Sequence, residues 1–121
     1  MSEIPTADNV LDIGVDVVPL KDVARRLGLS ESRVYQMLRD GQLLAVRREG
    51  QLAVPADLLT DDGVVKGVAG TITVLRDGGY ADLEILRWLF TDDDTLPGTP
   101  VAALRADRGK EVKRRAQAMA F

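Results

Sequence analysis

Five polar side chains in one short stretch, Ser32, Arg33, Tyr35, Gln36 and Arg39, are followed after a glycine by the pair Arg47-Arg48. At about 100° per residue, the five share one face of a helix over 31–40, and Val34, Met37 and Leu38 lie on the other. A guanidinium presents a fork of N–H donors to phosphate or to a guanine edge. A carboxamide suits adenine, and the hydroxyls of Ser and Tyr reach phosphate or base. Arg47 and Arg48 stand at the corner between the apolar runs Leu43-Leu44-Ala45-Val46 and Leu52-Ala53-Val54. A hairpin over 43–55 would carry them as the tip of a wing, within reach of an adjacent minor groove or of phosphates. Lys21, Arg25 and Arg26, one helix earlier, are spaced to meet the backbone of the same duplex. The competing reading is a plain solvated helix face and a hairpin tip kept soluble by charge, with Glu49 offsetting one arginine. The serine cap, glycine turn and wing taken together favour contact with double-stranded DNA.

The elements that must hold these side chains are legible on either side. Apolar residues at 20, 23, 24 and 27 give helical spacing, and Gly28 follows where a left-handed residue ends a helix. Ser30 is an N-cap for the next helix, Glu31 suits its first turn, and Gly41 stops it. Two helices joined by so short a glycine turn have the form of a helix-turn-helix. Pro55 ends the hairpin, and 56–59 allows one helical turn. Three glycines and a Thr-Asp-Asp between 60 and 70 suggest a linker. Beyond it, helices are expected over 66–77, stopped by Gly78-Gly79, over 83–91 with Asp82 as cap, from Pro100 to about Ala106, and over 109–120. The fold class is therefore mainly α with a small β-hairpin wing: a winged helix-turn-helix over 18–60, then a C-terminal helical bundle over 61–121. Residues 1–17 read as a mobile acidic tail.

Charge is segregated along the chain. The net charge is −3, yet residues 21–48 hold seven bases against three acids, and 49–98 hold ten acids against three bases. Because salt confines a surface field to about 8–10 Å, a local basic face can engage phosphates on an acidic protein. The absence of Cys and His removes disulfides, Cys/His zinc sites and imidazole chemistry. No nucleophile–base pair or phosphate-binding loop appears, so no enzyme and no cofactor is expected. Asp92-Asp93-Asp94 lacks the spacing of a calcium loop and reads as a solvated turn. Trp88 reads as core. The bases of the last helix, Lys110, Lys113, Arg114 and Arg115, could make a second DNA contact or simply face solvent. Thr6, in the acidic tail, is a candidate phosphorylation site, since added negative charge near the basic face would weaken DNA binding. No apolar run approaches the length of a membrane span, and the N-terminus lacks a signal pattern, so a cytoplasmic location is expected.

Residues 19–59, with "DVARRLGLS", "RVYQMLRDG", "LAVRREGQLAVP" and the trailing Pro-Ala-Asp-Leu-Leu, resemble the winged helix-turn-helix of the MerR/excisionase class. The whole chain, ending "RRAQAMAF", resembles a small actinobacterial family of DNA-binding regulators that join this domain to C-terminal helices. The resemblance implies duplex binding through Arg33, Tyr35, Gln36, Arg39, Arg47 and Arg48. The chain departs from MerR regulators in lacking a long C-terminal heptad helix and a Cys or His effector site, so their coiled-coil dimer and metal sensing do not carry over. The segment from Leu83 to Ala120 is also similar to the toxin-binding domain of Xre/MbcA/ParS-type antitoxins, which implies an alternative: a protein-interaction module that binds a partner through the C-terminal helices, with or without DNA. A homodimer would strengthen DNA binding by so small a domain.

Overall fold

A computed structural model describes residues 15–120. Thr6, and the tail as far as residue 14, lie outside the described residues. Strand β1 (Val17–Pro19) runs directly into helix α1 (Leu20–Leu27), and α2 (Glu31–Arg39) follows after a three-residue turn. Strands β2 (Val46–Arg48) and β3 (Gln51–Pro55) form the wing, and a single 3-10 turn over Ala56–Leu58 leaves it. Four helices complete the chain: α3 (Val68–Asp77), α4 (Asp82–Leu89), α5 (Pro100–Arg105) and α6 (Gly109–Ala120).

The three strands form one antiparallel sheet in the order β1-β3-β2. Val18 pairs with Val54, and Val46 with Ala53. β1 falls partly within the segment expected to be tail. Val17 opposes Pro55, and the Ala56 N–H donates to the Asp16 carbonyl at 2.8 Å. The wing strands are shorter than expected. Leu43, Leu44 and Ala45 are buried but lie outside any strand, and pairing starts only at Val46.

Helix α3 forms over a β-branched run, Thr71-Ile72-Thr73-Val74, that has strand propensity. Its threonines turn their hydroxyls onto their own helix, Thr71 to the Gly67 carbonyl at 2.8 Å and Thr73 to the Ala69 carbonyl at 3.0 Å. Ile72 and Leu75 fill the core, so tertiary burial decides the contest. In α4, Ala81 rather than Asp82 occupies the N-cap position. Glu84 reaches back to accept from the Ala81 N–H at 2.9 Å, and the Asp82 carboxylate is used elsewhere.

One hydrophobic core runs through the molecule. It joins Val18, Val23, Val34, Leu44 and Val54 of the winged part to Leu58, Leu59, Val65 and Val68, and then to Ile72, Ile85, Leu89, Leu104 and Val112. The expected linker is part of this core. The Val65 N–H donates to the Leu58 carbonyl, Leu59 bridges Val64, and Val65 and Val68 are buried. Arg105 adds a polar tie from α5, donating to the carbonyls of Asp57 and Leu59 at 3.1 and 3.0 Å.

The acidic loop is more ordered than a solvated turn. Asp93, with a side chain only 9% exposed, accepts from Arg115 Nε at 3.1 Å. It also accepts from Trp88 Nε1 at 3.1 Å and from the Thr95 hydroxyl and N–H. These donors, the Thr95 hydroxyl first, hold its carboxyl well below the usual carboxylate range. Arg115 is thereby tied to the fold, while Lys110, Lys113 and Arg114 are exposed.

Candidate nucleic-acid interface

The turn between α1 and α2 is set by two residues. Gly28 takes φ +68 and sends α1 into the turn. Ser30 then caps α2, accepting from the Arg33 N–H at 3.1 Å. The apolar side of α2 is anchored by Val34, which is fully buried. Opposite it lies an exposed arc of Tyr35, Arg39, Ser32, Gln36 and Arg33. Tyr35 is 43% exposed, a large ring left in solvent by a fold that buries most of its apolar residues.

The wing turns through Glu49 and Gly50 alone, both with positive φ, +54 and +78. Two such residues match the natural twist of the strands they join. Glu49 and Gly50 therefore form the tip, and Arg47 and Arg48 lie in β2 behind it. Adjacent residues of a strand face opposite ways, and the two arginines diverge. Arg47 is exposed, whereas Arg48 is half-buried and donates to the Val15 carbonyl at 2.6 Å.

The basic residues divide into two sets. Arg25 pairs with Asp22 at 3.3 Å, Arg26 donates to the Thr60 carbonyl at 3.4 Å, and Arg48 is held by Val15. Lys21, Arg33, Arg39 and Arg47 are exposed, and their side chains have no hydrogen-bond or ion-pair partner among the described residues. Tyr35, Arg39 and Arg47 line one groove of about 760 Å³, floored by Leu38, Leu43 and Leu52. Its far wall is the α3–α4 corner, Gly79 to Asp82. The two arginines thus line one groove with an apolar floor, and the carboxylate in its wall, Asp82, is already paired with Arg76, a setting in which a phosphate is attracted.

A further side chain reaches this region from α3. Arg76 donates through Nη1 to the Arg39 carbonyl at 3.1 Å and through Nη2 to the Leu38 carbonyl at 3.3 Å. Its other edge pairs with both oxygens of Asp82, each at 2.8 Å. The hydrogen bond it donates to Asp82 raises its pKa against the opposing effect of burial. Nothing in the local sequence marks Arg76, because its partners on α2 lie 37 and 38 residues away.

Two family models match the chain, one described as "DNA-binding protein Rv2175c, wHTH domain" over residues 3–59, the other as "Rv2175c C-terminal domain of unknown function" over 65–120. DNA-binding protein Rv2175c of Mycobacterium tuberculosis is 46% identical over 134 aligned positions, covering 100% of this chain and 92% of that protein. The solved NMR structure of Rv2175c matches with a TM-score of 0.85 at 45% identity, covering 98% of this chain and 90% of that one. Among the described residues, no helix is long and apolar enough to cross a membrane.

Proposed function

The chain belongs to the family of DNA-binding protein Rv2175c, and from that premise we propose that it binds duplex DNA as a transcriptional regulator, with α2 in the major groove and the wing against flanking phosphates. The observation that carries this reading is the groove that Arg39 and Arg47 line together with Tyr35, both arginine side chains without a partner among the described residues. Arg33, Gln36 and Ser32 continue the same exposed arc of α2 toward the base edges. Arg39, Arg47 and Lys21 supply phosphate contacts, which provide most of the affinity. Arg26 and Arg48 tie distant segments together, and Arg25 pairs with Asp22 on its own helix, so each is already engaged by the protein itself.

Fluorescence anisotropy on a labelled random-sequence duplex at low salt tests the reading. Arg33→Ala and Arg39→Ala should each weaken binding while leaving the thermal melt unchanged. Full affinity in both variants refutes it. Selection from the same random pool would then identify the preferred site.

A further inference from the structure

We infer that the C-terminal helices serve as a brace for the recognition helix, and that Arg76 is the positioning residue through which the brace acts. The consequence for DNA rests on the DNA-binding reading above; the contact itself does not.

A helix leaves its last carbonyls without partners inside the helix. At the end of α2 some are met locally: the Asp40 N–H donates to Gln36 at 2.9 Å and the Gln42 N–H to Met37 at 2.9 Å. The Leu38 carbonyl accepts from the Gly41 N–H at 3.3 Å and also from the guanidinium of Arg76, and the Arg39 carbonyl accepts from Arg76. A cation is favoured there by the helix dipole. Arg76 is not free to swing away. Asp82, at the start of α4, grips its other edge with a two-point fork, and the side chains are 28% and 18% exposed. Gly41 leaves room for this arrangement. It takes φ +76, and a Cβ there would lie 2.8 Å from Arg76 Nη1. One guanidinium therefore joins the end of α2, the last turn of α3 and the first turn of α4.

The leverage follows from the length of the helix. Arg33 lies six residues before the last residue of α2, Arg39, or about 9 Å along the axis, so a tilt of about 10° around the C-terminal end moves it by about 1.6 Å. Base-edge hydrogen bonds tolerate only a few tenths of an ångström, whereas attraction to phosphate declines slowly with distance. Losing the brace should therefore erode sequence discrimination before it erodes general affinity for DNA.

The test uses the full chain with Arg76→Met, which keeps the apolar stem and removes every donor, and Arg76→Lys as the conservative variant. Three quantities are read: affinity for a duplex selected from a random pool, affinity for random duplex at low salt, and hydrogen exchange at the amides of Asp40, Gly41 and Gln42. The brace predicts that Arg76→Met lowers the ratio of selected to random affinity about tenfold while affinity for random duplex stays within about twofold. Exchange at the three amides should quicken ahead of global unfolding, and Arg76→Lys should fall between. If Arg76→Met melts far below the parent, Asp82→Asn is read in the same assays, since it leaves Arg76 in place and weakens the grip that aims it. Unchanged exchange at those amides overturns the inference. So does an intact affinity ratio in a variant series where Arg33→Ala loses binding, and that result leaves DNA binding standing. If the parent chain binds no duplex yet exchange still quickens in Arg76→Met, the brace stands and the DNA reading fails.

Discussion

The division of the basic residues into free and engaged sets predicts how steeply salt should weaken DNA binding. Each phosphate neutralised contributes about −0.9 to the slope of log affinity against log salt. The four cations of the winged part whose side chains have no partner among the described residues, Lys21, Arg33, Arg39 and Arg47, thus set an upper slope of about −3.6 for binding through that part. Raising salt from about 50 to about 200 mM should lower affinity about 150-fold. If Arg25, Arg26 and Arg48 also turned to DNA, the slope would approach −6.3 and the loss about 6,000-fold. That would require Arg48 to give up its 2.6 Å bond to Val15, and Arg25 its pairing with Asp22. Anisotropy titrations across this salt range distinguish the two cases. Lys21→Ala and Arg47→Ala should each flatten the slope by about 0.9, whereas Arg48→Ala should leave it unchanged. A parent slope near −6, or a flatter slope in Arg48→Ala, would refute the partition.

Three further outcomes are expected. Ser30→Ala removes the cap of α2 and should cost about 1 kcal/mol, seen as a melting temperature lower by about 4 °C. Asp93 has its carboxyl held below the usual range in the folded chain, so its contribution is complete above the ordinary carboxylate pKa and is lost as pH falls below about 4. An acid titration followed by the fluorescence of Trp88, the single tryptophan, should show that loss, and Asp93→Asn should shrink it while costing about 2 kcal/mol at neutral pH. Gly41→Ala should cost roughly 1–2 kcal/mol and reproduce the faster amide exchange of Arg76→Met, because the added methyl takes the space of the guanidinium.

What the sequence revealed, and what it hid, follows from the range of each interaction. Helices α1 and α2 are written in short-range signals: apolar spacing, Ser30, Gly28 and Gly41. The last two helices are similarly marked by Pro100 and the alternation of Val112 and Ala116 with charge. The exposed arc on α2 could be read because burial of Val34 alone fixes the helix's rotation. By contrast, β1 is three residues whose partners lie more than thirty positions downstream, and no local pattern announces them. The same holds for Arg48 and Val15, and for Arg76 and α2: a charged residue looks alike whether it faces solvent or a distant carbonyl. The Glu49-Gly50 turn was half visible. Gly50 invites a left-handed turn, but Glu49 also adopts positive φ, and that moves both arginines back from the tip.

The continuity of the core from Val18 to Ala116 bears on how the molecule comes apart. Severing the chain between Thr60 and Val64 would strip Leu58 and Leu59 of their apolar neighbours on one fragment and bare Val65 and Val68 on the other. Neither piece would inherit a complete interior. Heat should therefore melt the two halves in a single step, with calorimetric and van't Hoff enthalpies in agreement.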